Sequence, residues 1–340
     1  MTSIQKVNNK KPLVALIMGD PAGIGPEIAL KALSSTVNTR QYNPVIVGSY
    51  SSSVELIDKW VQHLKLVKAD TAEEIIRITI DSAIPFVDIS CNELPIPVGK
   101  VSSDAGAIAY NSIKETFNLL EHGFLDAAAM APISKEALQK TGLGFLSEFD
   151  LFASLSQVDS VKAIVSCGSL FRSTVIGHVP FRDIASLLTT EKIVNTGKSL
   201  FSMMRRFAIK EPRLAIAALN PHAGEGGLLG DEEKNVIEPA IRILRESGVD
   251  LKGPFPADTL MVHAKRNEFQ GIIFLYHDQG NIAFKAADFG ENVLIYSDIP
   301  YTITSVGHGT AFDIAGTGIA DPHNYIAAIE VAIRLITKNE

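Results

Sequence analysis

The sequence contains little cysteine and almost no tryptophan, with two cysteines and one tryptophan among 340 residues. Cys91 and Cys167 lie far apart and lack metal-site spacing, which argues against a disulfide-stapled secreted fold and favours a reducing compartment. No stretch approaches the roughly 18 apolar residues that a membrane-spanning helix needs. The polar residues before Pro12 contain no signal-peptide pattern. The sequence therefore predicts a cytoplasmic protein with no membrane partner.

The sequence also lacks a cluster of basic residues. Lysine and arginine number 31 against 38 aspartates and glutamates, which gives a formal net charge of −7. A nucleic-acid-binding surface normally carries a basic patch, so no nucleic-acid partner is expected. An anionic small substrate stays compatible, because a cleft can be locally positive on an acidic protein.

Short apolar, β-branched runs alternate with longer helical patterns, which is typical of a mostly parallel α/β sheet. The predicted strands are Leu13–Met18, Pro44–Val47, Ala127–Ala129, Ala163–Val165, Ser173–Ile176, Leu214–Ala217 and Gly271–Tyr276. The predicted helices are Pro26–Leu33, Ser53–Leu64, Ala105–Leu120, Glu191–Phe207, Glu232–Glu246 and Asn324–Lys338. The length allows two domains at roughly 150 residues each.

Three histidines each follow an apolar run and stand where a loop is expected to begin: His178, His222 and His277. In open α/β sheets, ligands and catalytic groups gather at the carboxyl ends of the strands. Neutral imidazole is the commonest protein ligand of a divalent metal. These histidines are therefore candidate metal ligands, although no short spacing links them and each could instead be a hydrogen-bonding surface residue.

Three charged residues are further candidates, and two of them, Lys285 and Asp258, have two interpretations each. Glu225 shares the glycine-rich loop of His222, before an acidic helix start. Lys285 lies eight residues after His277, and it is either a proton acceptor with a depressed pKa or a solvated surface lysine. Asp258 either orients a ligand histidine or caps a helix that runs from Thr259.

Two more glycine-rich segments follow apolar runs. Residues 19–27 enter a helical pattern with Pro26 near its first turn, so they form either an anion site at a helix N-terminus or a tight strand-to-helix turn. Residues 307–316 carry His308 before an expected short helix, and they either line a nucleotide pocket or form a plain junction. The first segment matches no nucleotide-loop fingerprint.

Five segments together resemble one family, in the family's own order along the chain. They are Gly-Asp-Pro-Ala-Gly-Ile-Gly-Pro-Glu (19–27), Ala-Pro-Ile-Ser-Lys-Glu-Ala-Leu (131–138), Asn-Pro-His-Ala-Gly-Glu-Gly-Gly (220–227), Tyr-His-Asp-Gln-Gly (276–280) and His-Gly-Thr-Ala-Phe-Asp-Ile-Ala-Gly (308–316). The chain resembles the 4-hydroxythreonine-4-phosphate dehydrogenases from about Val14 to Ala320. The resemblance implies a two-domain α/β/α fold like that of isocitrate and isopropylmalate dehydrogenases. Residues 1–140 and 305–340 are expected to form the first domain and residues 141–304 the second.

The resemblance also implies the chemistry: an NAD- or NADP-dependent enzyme that needs a divalent metal, which is zinc, magnesium or cobalt. It oxidises the secondary alcohol of a 3-hydroxy acid, and the β-keto product loses carbon dioxide, as in pyridoxine biosynthesis. The family's metal histidines match His178, His222 and His277, and its substrate-contacting lysine matches Lys285. Lys285 and Asp258 are the expected catalytic residues. The expected cofactor-binding residues are Gly224, Glu225, Gly226, Asp278 and Gln279. A homodimer with the active site at the subunit interface is implied as well.

The substrate positions depart from the family. Its substrate-contacting His-Thr pair aligns with Glu148 and Phe149, and an Asn and an Arg that hold the substrate align with Leu294 and Ile303. Loss of the arginine removes a charge-assisted anion clamp. A carboxylate at 148 would repel a phosphate by roughly 4 kcal/mol per charge pair at about 4 Å. These four positions and Lys285 are the expected substrate contacts, and an unphosphorylated hydroxy acid or a carboxylated cyclic diol is favoured, unless Arg172 or Arg182 replaces the clamp.

Two further interpretations stay open from the sequence. A phosphate acyltransferase shares this general architecture but needs neither NAD nor three metal histidines. A binding protein that has lost its activity would not need to retain the three histidines and Lys285.

Overall fold

The computed structural model describes residues 11–36, 41–89, 96–287 and 291–337. In chain order the strands are β1 (Leu13–Ile17), β2 (Asn43–Gly48), β3 (Leu66–Lys68), β4 (Ile84–Asp88), β5 (Ala127–Met130), β6 (Lys162–Cys167), β7 (Leu170–Ile176), β8 (Arg213–Ala217), β9 (Asp250–Phe255), β10 (Gly271–Tyr276), β11 (Asn292–Ser297) and β12 (Ile303–Val306). The α-helices are α1 (Gly25–Thr36), α2 (Val54–Trp60), α3 (Ala72–Ile80), α4 (Ser103–Glu121), α5 (Lys135–Lys140), α6 (Glu148–Ser156), α7 (Ile184–Leu187), α8 (Thr190–Arg206), α9 (Glu238–Glu246), α10 (Ala257–Lys265), α11 (His277–Ala287) and α12 (His323–Thr337). Among the residues described, no helix combines the length and the apolar character that crossing a membrane requires.

The described residues divide into two compact units. One contains the residues up to Asp159 together with Ile299–Thr337, and the other contains Ser160–Asp298. The sequence predicts boundaries after residues 140 and 304, whereas the two units divide after Asp159 and after Asp298. The ring of Phe152 on α6 packs edge-on against Phe117 on α4, with centroids 4.9 Å apart. This contact is one reason why the segment that follows residue 140 belongs to the first unit.

The sheet of the first unit is parallel throughout, in the order β3-β4-β2-β1-β5-β12. Its central strands are continuous apolar runs because helices cover both faces of such a sheet. Tyr325 on α12 is fully buried, and its hydroxyl is shared between the carbonyl oxygens of Ile17 and Ala129. These hydrogen bonds attach the last helix of the chain to β1 and β5.

The sheet of the second unit has the order β11-β6-β7-β10-β8-β9. β6 runs antiparallel to both β11 and β7, whereas β7, β10, β8 and β9 are parallel. The carboxyl ends of β7, β10 and β8 therefore lie side by side at one edge. This arrangement decides where the chemistry-bearing residues meet.

The structure confirms the α/β class and contains every predicted strand, β10 with the predicted ends and the others with shifted ends. The predicted helices are also present except one, and the predicted end of the last helix at Lys338 lies outside the described residues. The predicted helix Glu232–Glu246 is instead a π-helical turn, Glu233–Ile237, followed by α9. The loop expected after His277 is also wrong, since α11 begins at that residue. The short helix expected after His308 is replaced by turns.

Candidate active site

Three neighbouring parallel strands carry the three candidate histidines to the same edge of the second unit. His178 lies two residues beyond β7, His277 follows β10 directly, and His222 lies in the segment after β8. Because these strands are adjacent and parallel, their ends present the residues that follow them on one side. The three histidines therefore lie at the carboxyl-end edge of the sheet of the second unit.

Two of these histidines are in contact. The ring centroids of His178 and His277 are 4.7 Å apart, with the rings tilted at 45°. Within the described ranges, no three His, Cys, Asp or Glu side chains gather closely enough to hold a metal ion. The expected set of three is thus present as a pair, and His222 does not join it.

The loop that carries His222 has an unusual backbone. Five consecutive residues, from His222 to Gly226, adopt left-handed angles, with φ between 46° and 77°. Each non-glycine residue in this region costs roughly 1–2 kcal/mol. Such strain persists only where surrounding contacts fix the backbone, and it is concentrated at functional sites.

The buried carboxylate of Glu233 fixes this loop from one side. It accepts hydrogen bonds from the backbone N–H groups of Leu219 and Asn220 at 3.0 and 2.8 Å, and from the Asn220 side-chain amide at 2.9 Å. The same amide donates to Glu232 at 2.7 Å, which lowers the pKa of that carboxyl group. Lys234 donates to the carbonyl oxygen of Gly226. The π-helical turn therefore holds both ends of the left-handed segment.

His277 is the centre of a hydrogen-bonded chain. Its Nδ1 lies 2.7 Å from a carboxylate oxygen of Asp278, and its Nε2 lies 2.7 Å from the Asn281 amide nitrogen. The Asn281 amide oxygen accepts from the Arg172 guanidinium. Arg172 also lies over the Phe284 ring, 5.1 Å from its centroid. Burial lowers the pKa of Arg172 to about 10, and the group remains a cation at neutral pH.

The two expected catalytic residues lie on different helices. Lys285 is exposed on α11, two turns after His277, on the helix face that also carries Asn281. Asp258 is exposed in the first turn of α10, which packs near the Pro221–Gly227 segment. The alternative of a cap is wrong, because α10 begins at Ala257, before Asp258.

The expected cofactor residues have varied surroundings. Gly224 is buried, and a Cβ atom there would lie 2.8 Å from a carboxylate oxygen of Glu233, which explains the glycine. Glu225 and Gly226 are exposed in the left-handed segment. Asp278 is exposed beside His277, whereas the Gln279 amide bonds to the backbone of Ala218 and Leu275 and so joins β8 to β10.

The expected substrate positions also differ from one another. Glu148 is nearly buried on α6 in the first unit, with a carboxylate oxygen 3.7 Å from the Lys135 ammonium. Phe149, the next residue of that helix, is half-buried. Leu294 is half-buried on β11. Ile303 is 0% exposed on β12, so it offers no surface to a substrate in this structure.

The replacement anion clamp is not available from Arg172, since its guanidinium is buried and bonded to Asn281. Arg182 is exposed after His178, 3.8 Å from Asp183. Sequence reasoning did not select Asn281 or Glu233. The spacing of four residues between His277 and Asn281 on a helix was the available signal.

The segment at residues 19–27 is a tight turn without exposed surface in its unit. Asp20 there is 0% exposed, and burial raises the pKa of its carboxyl group to about 6. Glu27 accepts from the backbone N–H of Ala320 and pairs with Lys31. Thr310, from the segment around His308, accepts from the Ile24 N–H. The strand-to-helix turn is therefore the better interpretation of residues 19–27.

Comparisons with known proteins agree with this fold. A family profile described as "Pyridoxal phosphate biosynthetic protein PdxA" matches residues 40–332. A protein of Pasteurella multocida, provisionally named a 4-hydroxythreonine-4-phosphate dehydrogenase, is 32% identical over 334 residues, 96% of this chain and 97% of its own. A protein of Clostridium botulinum, provisionally named a D-threonate 4-phosphate dehydrogenase, is 33% identical over 332 residues, 97% of this chain and 98% of its own.

Solved structures give the same result. The 4-hydroxythreonine-4-phosphate dehydrogenase of Klebsiella pneumoniae superposes with a TM-score of 0.81 at 30% identity, covering 97% of this chain and 99% of its own. A terephthalate 1,2-cis-dihydrodiol dehydrogenase of Burkholderia xenovorans gives 0.63 at 28%, with 97% and 99% covered. The isocitrate dehydrogenase of Methylococcus capsulatus, at 15% identity and a TM-score of 0.50, covers 96% of this chain and 86% of its own and shows the fold alone.

The fold and these matches together define a dehydrogenase that acts on a CH–OH group. The chain belongs to the PdxA family, whose profile spans most of its length. The resemblance seen in the motifs and the isocitrate-dehydrogenase-like fold are thereby confirmed, and the acyltransferase interpretation is set aside.

Proposed function

We propose that the chain is an NAD-dependent, divalent-metal-dependent dehydrogenase that oxidises a 3-hydroxy acid and releases carbon dioxide from the β-keto product. The observation that carries the proposal is that His178, His222 and His277 each follow one of three adjacent parallel strands at the same edge of the sheet. Membership of the family supports the redox chemistry.

The donor chemistry of this edge fits a divalent metal. Imidazole is a common ligand of zinc and cobalt, and two of the three rings are already in contact. When bound, the metal supplies Lewis-acid polarisation of the alcohol oxygen and of the forming carbonyl. His222, on the neighbouring loop of the same sheet edge, is the third ligand in this proposal.

Lys285 accepts the alcohol proton in this proposal. It shares a helix face with His277 and Asn281 on α11, and its side chain is exposed. Asp258 on the neighbouring α10 is the second ionisable group. The nicotinamide supplies the hydride acceptor that side chains cannot, and the exposed residues Glu225, Gly226 and Asp278 are the proposed contacts of the dinucleotide.

Two substrate classes are supported by different observations. The relatives named for phosphorylated hydroxy acids favour a phosphorylated substrate. The buried carboxylate of Glu148, at a position where the family contacts its substrate with histidine, favours an unphosphorylated acid. The neighbour named for a terephthalate cis-dihydrodiol makes a carboxylated cyclic diol the second candidate.

NADH formation tests the proposal. Metal-depleted protein is assayed with 4-hydroxythreonine 4-phosphate, D-threonate 4-phosphate, their unphosphorylated forms and a carboxylated cis-dihydrodiol, with and without cobalt or zinc. We expect turnover that needs added metal, with carbon dioxide released in step with NADH. Turnover at an unchanged rate in a chelator would contradict the metal requirement, and no turnover with any of these acids would contradict the substrate class.

We further propose a cytoplasmic homodimer with its active site at the subunit interface. Light scattering on the purified chain gives the mass directly. A monomer at concentrations that support full activity would contradict this part of the proposal.

A further inference from the structure

We infer that Arg172 and Asn281 fix the tautomer of His277, so that its Nδ1 carries the proton and its Nε2 presents the lone pair. The inference stands on hydrogen-bond contacts within the second unit. Only its consequence for metal binding rests on the proposed function.

The guanidinium of Arg172 has hydrogen-bond donors and no acceptor. Its terminal nitrogen lies 2.5 Å from the side-chain oxygen of Asn281. The opposite amide orientation would place two donors against each other. Arg172 therefore decides which end of the Asn281 amide faces His277.

The amide nitrogen of Asn281 is consequently the atom that lies 2.7 Å from Nε2 of His277. An amide nitrogen only donates, so Nε2 must accept and cannot carry the ring proton. That proton belongs on Nδ1, which lies 2.7 Å from an Asp278 carboxylate oxygen. A carboxylate accepts, so both ends of the ring agree on one tautomer.

Asp278 alone is a weak restraint. Its side chain is 74% exposed, and water competes for an exposed charged partner. Arg172 is only 9% exposed and lies against the Phe284 ring. The hydrogen bonds from Arg172 through Asn281, rather than the contact with the Asp278 carboxylate, therefore hold the imidazole ring of His277.

Arg172 and Asn281 are positioning residues by this argument. A metal takes the unprotonated nitrogen of an imidazole, and the hydrogen bond at the other nitrogen sets which one that is. If the proposed function holds, His277 would bind the metal through Nε2 and would need no change of tautomer to do so.

Nitrogen-15 NMR of the metal-free protein tests the inference without any activity assay. The protein is labelled at histidine, and the His277 signals are assigned by their loss in His277→Gln. We expect the wild-type ring to show a protonated Nδ1 and an unprotonated Nε2. A protonated Nε2 in the wild type would overturn the inference, whatever the enzyme assays show.

Variants test the role of each residue. Arg172→Met frees the Asn281 amide to turn, and Asn281→Leu removes it, so each should move the averaged nitrogen-15 shifts of His277 toward those of a ring protonated at Nε2. Asn281→Leu changes a half-buried helix position and stays informative if the buried Arg172→Met does not fold. Thr174→Val is the control, since it removes only the 3.5 Å contact of Arg172. If both folded variants keep the wild-type tautomer, the role of Arg172 and Asn281 is overturned. If Arg172→Met fails to fold, the wild-type tautomer in Asn281→Leu alone has the same meaning.

Discussion

At the scale of single residues, Asp20 makes the free energy of unfolding depend on pH. Burial raises the pKa of its carboxyl from 3.8 to about 6. The folded state thus binds this proton more tightly than the unfolded state, so the contribution to stability is complete below about pH 3.8 and is lost as the pH rises through 6. Over its full range it amounts to about 3 kcal/mol.

The Asp20→Asn variant tests this. On going from about pH 8 to about pH 5, the free energy of unfolding of the wild type should gain roughly 1.4 kcal/mol relative to the variant. Denaturant unfolding at the two pH values measures the difference. Parallel pH profiles for the two proteins would show that Asp20 is not the group responsible.

Glu148 is the proposed determinant of the charge that the substrate can carry. Glu148→His restores the residue type expected of the family and removes a carboxylate that repels phosphate. We expect kcat/KM for a phosphorylated hydroxy acid to rise at least tenfold, since each 1.4 kcal/mol of removed repulsion is worth a factor of ten. Glu136→His on the exposed face of α5 is the control. Equal effects of the two substitutions would contradict a specific role for residue 148.

Lys285 is the proposed proton acceptor. Lys285→Met should lower kcat by about 10²- to 10⁴-fold with little change in KM, because general base catalysis contributes that much to the rate. Lys198→Met, at an exposed position of α8 in the same unit, should leave both constants unchanged. Steady-state kinetics on the best substrate separates the two. A rise in KM with a normal kcat would show a binding role instead.

At the scale of structural elements, the left-handed segment offers a matched pair of glycines. Gly226→Ala adds a methyl group that meets nothing within 4 Å, at a φ of +68°, and should cost only the roughly 1–2 kcal/mol of left-handed backbone. Gly224→Ala has a similar φ, but its methyl group would lie 2.8 Å from Glu233. Its loss of unfolding free energy should therefore be larger. Equal losses would show that Glu233 does not hold this loop.

The sequence predicted seven of the twelve described strands and missed β3, β4, β9, β11 and β12. β10 was predicted from end to end, because a central parallel strand is buried on both faces. β9 was missed, since Lys252, Gly253 and Pro254 interrupt its pattern. α11 was read as a loop because Gly280 stands in its early turns.

Within the site, the sequence predicted which strand ends matter but not the contacts between them. Arg172 and Asn281 are 109 residues apart, so no local pattern could connect them. The left-handed angles of His222, Ala223 and Glu225 were also beyond prediction, because these residue types rarely adopt positive φ. Only the folded unit, through Glu233 and Lys234, makes that backbone possible.

At the scale of the whole molecule, membership of the PdxA family and the two-unit α/β fold agree with a dehydrogenase. The central claim that goes beyond them is a single metal site built by His178, His222 and His277. The most direct measurement is a cobalt titration followed by calorimetry and visible absorption. The account predicts one ion per chain, with binding weakened in His178→Asn, His222→Asn and His277→Asn but retained in His263→Asn on α10. Unchanged cobalt affinity in the first three variants would contradict it.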